Sequence, residues 1–97
     1  MALEHVKGKD AGDIKIYALS TCPWCKKAKQ LLNDLGVGYS FVDVDLLTGD
    51  ERQKTIGEVR KSNPSVSFPT IVINNTRIII GFKEQEIREV LKEISKA

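Results

Sequence analysis

The sequence predicts a single α/β domain of three layers: a four-stranded mixed sheet with three helices packed on it, in the order β-α-β-α-β-β-α. Three observations predict it. Between Asp13 and Val44 an alternating apolar segment, an amphipathic helix and a second apolar segment follow one another, the pattern of a βαβ unit. Two short apolar runs, Thr70 to Ile73 and Arg77 to Ile80, flank Asn74-Asn75-Thr76, as in a β-hairpin. Two stripes spaced i, i+3, i+4, i+7 (Ala28, Leu31, Leu32, Leu35 and Ile87, Val90, Leu91, Ile94) each mark one buried helix face.

Taken in order, Met1 to Gly12 carries two glycines, mixed charge and no periodicity, and reads as a flexible tail before a domain over residues 13–97. Asp13 to Leu19 alternates and then turns apolar, as a strand entering a core does. Ser20 and Thr21 break it. Pro23 suits the first helical position, where its missing N–H costs nothing, and Gly36 suits the helix stop. Tyr39 to Val44 forms the second strand, parallel to the first through a right-handed crossover. A polar helix runs from about Glu51 to Lys61 with a narrow apolar face, Ile56 and Val59, so it lies on the surface until Asn63-Pro64 ends it. Gly81 separates the hairpin from the last helix.

Composition excludes several classes. The chain has 97 residues, 41% hydrophobic and 29% charged, which makes one globular domain and not a disordered chain. A net charge of +2, with no Lys/Arg stripe interleaved with aromatics, argues against nucleic acid as a partner. No apolar run approaches the roughly 20 residues of a membrane span. Met1 to Asp13, with Glu4, Lys7, Lys9 and Asp10, lacks the apolar segment of a secretory signal, so a cytoplasmic location is expected; the domain is read as a monomer.

The chemistry lies in two cysteines, Cys22 and Cys25. A pair this close in sequence closes a short loop and constrains the unfolded chain only weakly, so it has little to offer as a staple. At the start of a helix the two side chains lie nearly one turn apart on the same face, within reach of a disulfide. Cys22 sits at or beside the N-cap, where unpaired N–H groups and the helix dipole favour an anion, and the thiolate is the nucleophile of disulfide exchange. Lys26 and Lys27 add positive charge nearby. Cys25, inside the first turn, is expected to be buried and less acidic. Cys22 would then attack a substrate disulfide and Cys25 would resolve the mixed disulfide. Asp43 and Asp45 stand where a proton acceptor for Cys25 would be useful, although acids at a strand end are more often solvated. Arg52, Lys54, Arg60 and Lys61 read as a wet helix face able to steer an acidic reductase. A closed structural zinc site needs four ligands, and two cysteines with His5 do not supply them. Three alternatives stay open: an iron–sulfur cluster shared by two chains through Cys22 of each, an inert or structural thiol pair, and a binding module without turnover.

Thr21-Cys22-Pro23-Trp24-Cys25, Ser67-Phe68-Pro69-Thr70 and Gly81-Phe82 together resemble the glutaredoxin-like branch of the thioredoxin superfamily, over about residues 13–94. The resemblance implies a thioredoxin-like fold, a cis bond before Pro69, and thiol–disulfide oxidoreductase activity on protein or glutathione-mixed disulfides. It implies substrate-binding positions at Thr21, Pro23, Trp24, Ser67, Phe68, Pro69, Gly81, Phe82, Lys83 and Glu84. No prosthetic group or metal is expected, because two sulfurs hold two electrons; glutathione enters as a co-substrate. The chain departs from the family pattern at two places. Gly81-Phe82-Lys83-Glu84 stands where glutaredoxins have Gly-Gly, a small residue and Asp for the γ-glutamyl end of glutathione, and Leu19 stands where many have a lysine for its carboxylate. Gly-Phe is similar to the glutaredoxin-shaped hydrogen donors of ribonucleotide reductase, which implies a thioredoxin-reductase-like electron source instead. Trp24 is either a flat contact for substrate or a partner for Phe82.

Overall fold

The computed structural model of the chain describes residues 3–10 and 12–95, the side chains of residues 94 and 95 excepted, so Ile94's place in its apolar stripe lies outside the described residues. The elements are β1 (Glu4–Val6), β2 (Ile14–Ala18), α1 (Pro23–Leu35), β3 (Tyr39–Asp43), one 3₁₀ turn (Val44–Leu46), α2 (Gly49–Ser62), β4 (Thr70–Ile73), β5 (Arg77–Ile80) and α3 (Glu84–Ser95). They build a mixed sheet in the order β1-β3-β2-β4-β5. The central strand β2 runs parallel to β3 and antiparallel to β4, and β1 and β5 close the two edges in antiparallel pairing.

Alternation along the strands divides the core between two faces. Ile14, Ile16 and Ala18 of β2, with Ile71 and Ile73 of β4, pack against Ala28, Leu31 and Leu32 of α1 and Ile87, Val90 and Leu91 of α3. Tyr17 and Val72, one residue out of phase, point to the other face and meet Val42, Val44 and Val59 of α2. Adjacent residues on one strand therefore serve two helical layers, and the three-layer expectation holds. The polar helix α2 buries Val59 and half-buries Ile56, and it is otherwise wet.

Two expectations are corrected. The sheet has five strands, because Glu4–Val6, read from the sequence as part of a tail, pairs antiparallel with Tyr39–Phe41 of β3. A three-residue strand with two exposed side chains has no hydrophobic period to read; backbone pairing and the fit of two glycines hold it. Gly38 N–H donates to Lys9 O at 2.9 Å and Lys9 N–H donates to Gly36 O at 2.8 Å. A Cβ on Gly8 would come within 2.5 Å of Gly38 N, so the two backbones approach as only glycine permits. The second correction is local: β3 stops at Asp43, and Val44 opens a 3₁₀ turn, closed by Leu47 N–H to Val44 O at 3.2 Å, that leads into α2.

The hairpin turn follows its sequence. Asn74 and Asn75 take φ of +53° and +59°, the left-handed pair of a type I′ turn, and Thr76 N–H closes it on Ile73 O at 3.2 Å.

Candidate active site

Helix α1 positions both cysteines. Cys22 is its N-cap, with extended backbone, and Pro23 opens the helix. The Cys22 Sγ accepts the N–H of Cys25 at 3.3 Å, so the sulfur itself satisfies one of the helix's orphan donors. Both cysteines are free thiols; Cys22 is half-exposed and Cys25 is wholly buried, at 0% exposure. Burial, followed by its hydrogen bond to Cys22, pushes the Cys25 thiol up to about 12. Two thiols three residues apart are thus chemically unlike: one is accessible at a helix end and the other keeps its proton under the sheet.

The other two motifs converge on the same core. Cys22, Phe68 and Phe82 all pack, half-buried, against the cluster that contains Cys25. The Phe68–Pro69 bond is cis, as the resemblance implies. Gly81, at φ +86°, donates its N–H to Pro69 O at 2.8 Å, which joins the Gly81-Phe82 segment to the proline loop. Of the two readings of Trp24, the structure shows the partner for Phe82. Its ring stacks on Phe82 at 6.2 Å between centroids and 25° between planes, Lys27 Nζ lies 4.6 Å above it, and 56% of the residue is still open to solvent.

Thr21, Pro23, Ser67, Lys83 and Glu84 are exposed. Glu84 carboxylate takes the Arg88 Nε–H at 2.9 Å and stands in the first turn of α3, so its charge is already met within the helix. Leu19 is half-buried against the α2-side core, and its carbonyl accepts the Cys22 N–H at 3.1 Å. A cavity of about 600 Å³ lined by Lys9, Leu35, Val37, Arg88, Leu91 and Lys92 contains neither cysteine.

Several supporting residues escape the sequence argument. Asn63, read only as a helix end, is 1% exposed; its Nδ2 lies 2.9 Å from Ser67 Oγ, 3.2 Å from Ser67 O and 3.1 Å from Thr70 Oγ1. It holds the loop that carries Phe68 and Pro69. Asp45 accepts Ser20 N–H at 2.7 Å and Ser20 Oγ–H at 2.5 Å, and these bonds hold its carboxylate below the usual range while fixing the turn that enters the active site. Asp43 is bound to Lys29 Nζ at 3.0 Å. Neither acid is bonded to Cys25. The aspartates' only sequence signal was their position at a strand end, and their partners lie 14 and 25 residues away. Among the described residues, no group of three or more His, Cys, Asp or Glu is arranged to hold a metal ion.

Comparison with known proteins decides the family. The glutaredoxin family model matches residues 14–78, the segment from β2 into β5 that carries both cysteines and the cis-proline. The chain belongs to the glutaredoxin family. It is 36% identical over 80 residues to an uncharacterized glutaredoxin-like 8.6 kDa protein of the rubredoxin operon in Clostridium pasteurianum, a match covering 82% of this chain and 99% of that one. The crystal structure of a glutaredoxin from Methanosarcina mazei Go1 is 55% identical, with a TM-score of 0.85 over 94% of this chain and 88% of that one. Methanoredoxin of Methanosarcina acetivorans is also 55% identical, with a TM-score of 0.84 over 87% and 88%. This glutaredoxin is a thiol–disulfide oxidoreductase of thioredoxin-like fold, and its redox partners are disulfides or thiols of the glutathione type. No helix among its described residues is long and apolar enough to cross a membrane.

Proposed function

We propose that this glutaredoxin is a dithiol reductase of protein disulfides and glutathione-mixed disulfides, working in the cytoplasm as a monomer through Cys22-Pro23-Trp24-Cys25. The observation that carries the proposal is the contrast between an N-capping, half-exposed Cys22 and a wholly buried Cys25 one turn below it. Cys22 thiolate attacks the substrate disulfide, forms a Cys22–substrate disulfide and releases the first substrate thiolate. Cys25 then attacks Cys22 Sγ, the Cys22–substrate bond breaks with its electron pair on the substrate sulfur, and that sulfur takes up a proton equivalent to the one Cys25 gives up. Two electrons have moved from the cysteine pair to the substrate, and no prosthetic group is required.

Substrate contacts are proposed at Thr21 and Pro23, at the Trp24–Phe82 stack and Lys83, and along the Ser67-Phe68-Pro69 backbone, where an extended chain can pair as an added strand. Glutathione and a flavoprotein reductase of the thioredoxin-reductase type are the two candidate electron donors. Three features favour the reductase: Leu19 is apolar and packed, Phe82 is stacked on Trp24, and Glu84 is taken by Arg88. In the test, Cys22→Ser abolishes turnover and Cys25→Ser accumulates a mixed disulfide at Cys22. Full disulfide-reductase activity in both single variants refutes the proposal. Reduction of the same oxidised protein by glutathione with glutathione reductase, and separately by thioredoxin reductase, assigns the donor. An iron-containing dimer after anaerobic purification would favour the cluster-binding alternative.

A further inference from the structure

A wholly buried thiol held near 12 is a poor nucleophile at neutral pH, yet the reaction requires it to attack. Part of its resistance is removed by the reaction itself. Once Cys22 is tied into a mixed disulfide, its negative charge and its hydrogen bond no longer oppose ionisation of Cys25. Burial, the larger cause, remains. Something fixed in the protein has to offset it.

Lys29 stands one helical turn after Cys25 on the same face of α1. It is not a loose surface lysine. Its Nζ is bonded to Asp43 Oδ1 at 3.0 Å and lies 4.0 Å from the centre of the Phe41 ring, and both members of the ion pair are largely covered, with side chains 19% and 15% exposed. Phe41 and Asp43 share one face of β3, two residues apart. An ammonium gripped by a carboxylate and an aromatic face from the neighbouring strand has lost most of the rotamer freedom that normally makes lysine charges ineffective. The Leu19 backbone favours the Cys25 thiolate more than any other group, and of the two ionisable groups acting on it, Cys22 and Lys29, Lys29 is the one that favours it. Asp43 offers its charge to Lys29, and Asp45 offers its own to Ser20.

We infer that Lys29 is a positioning residue for the resolving step: held by Asp43 and Phe41, its ammonium stabilises the Cys25 thiolate while Cys25 attacks Cys22. This rests on the proposed dithiol reading and goes beyond it, because it assigns to a residue outside the Cys-Pro-Trp-Cys motif control over the second half of the reaction and none over the first.

The test is a single-turnover reaction of the reduced protein with an equimolar aromatic disulfide whose released thiol is coloured. The first equivalent released reports attack by Cys22, and the second reports resolution by Cys25. Removing one ammonium a helical turn away in a partly wetted site is expected to lower the thiolate fraction about tenfold. The more basic sulfur that results is about threefold more nucleophilic, so resolution in Lys29→Met slows about threefold near neutral pH. The first phase keeps its rate, Lys29→Arg restores the second, and the deficit of the neutral variant shrinks and then reverses as alkali ionises Cys25 in both, because its thiolate is the more nucleophilic. Lys29→Gln serves the same purpose if Lys29→Met does not fold. Resolution unchanged in the neutral variants, equally slowed in Lys29→Arg, or slowed by the same factor at every pH overturns the inference. Absence of the first phase from the parent protein refutes the dithiol proposal instead.

Discussion

Asn63→Ala isolates a residue that makes no contact with either cysteine and yet supports the segment that would receive the substrate. Asn63 has two amide hydrogens for the three oxygens around its Nδ2, and its Oδ1 accepts the Ser65 N–H at 3.2 Å, so about three hydrogen bonds vanish with it. At roughly 1 kcal/mol net each, the gross loss is about 3 kcal/mol. The exposed Ser65 recovers a partner from water, and Thr70 Oγ1 keeps its donation to Ser67 O at 2.7 Å, so no buried group is orphaned and the expected cost is about 2–3 kcal/mol. For a domain of this size that lowers Tm by about 10–20 °C. Urea denaturation of reduced Asn63→Ala and the parent measures it, and KM for a peptide disulfide reports the loosened Ser67-Phe68-Pro69 segment. A loss below about 0.5 kcal/mol with an unchanged m-value would refute the reasoning, because the three bonds would then be worth no more to the fold than an exposed surface contact. Asn63→Asp is expected to be worse still: the carboxylate cannot donate to Ser67 O and is buried with no cation beside it.

Stability also falls with alkali. Burial pushes Cys25 from its ordinary 9.0 to about 12, and burial with Glu58 pushes Tyr17 from 10.0 to about 12. The folded chain holds protons there that the unfolded chain releases, so stability is whole below about 9 and is lost as pH rises toward 12. Cys25→Ala removes the onset of that slope, and a parent protein equally stable across the window would contradict the assignment. Gly8→Ala forces a Cβ to within 2.5 Å of Gly38 N and is expected to detach β1 alone. Amide exchange at residues 4–6 then speeds up while β2 and β4 stay protected; unchanged exchange at β1 would show that the glycine contact does not hold it. Leu32→Ala, at a wholly buried position of α1, is expected to cost about 2–5 kcal/mol in the same urea assay, and a cost under 1 kcal/mol would mean the α1 layer is not packed as described.

Short-range physics made much of this protein legible in one dimension. An N-cap, a proline at the first helical position, a glycine in the left-handed stop and the stripe Ala28-Leu31-Leu32 are neighbours in sequence, so α1 and the unlike environments of Cys22 and Cys25 could be read before any coordinates. The same holds for the Asn74-Asn75 turn, whose left-handed backbone is a property of two adjacent residues. Family resemblance added the cis bond at Pro69, which local sequence does not encode.

What only the tertiary structure decided are the contacts between distant segments. The strand Glu4–Val6 has no period of its own and exists because β3 offers an open edge and Gly8 meets Gly38. The choice of Asp43 for Lys29, of Asp45 for Ser20 and of Asn63 for Ser67 was invisible because a polar side chain near a strand or helix end carries no mark of its partner. Hydrogen bonds and ion pairs are directional and depend on where the folded backbone places both groups. Hydrophobic periodicity depends only on which face of an element is covered, and for that reason it could be read from the chain alone.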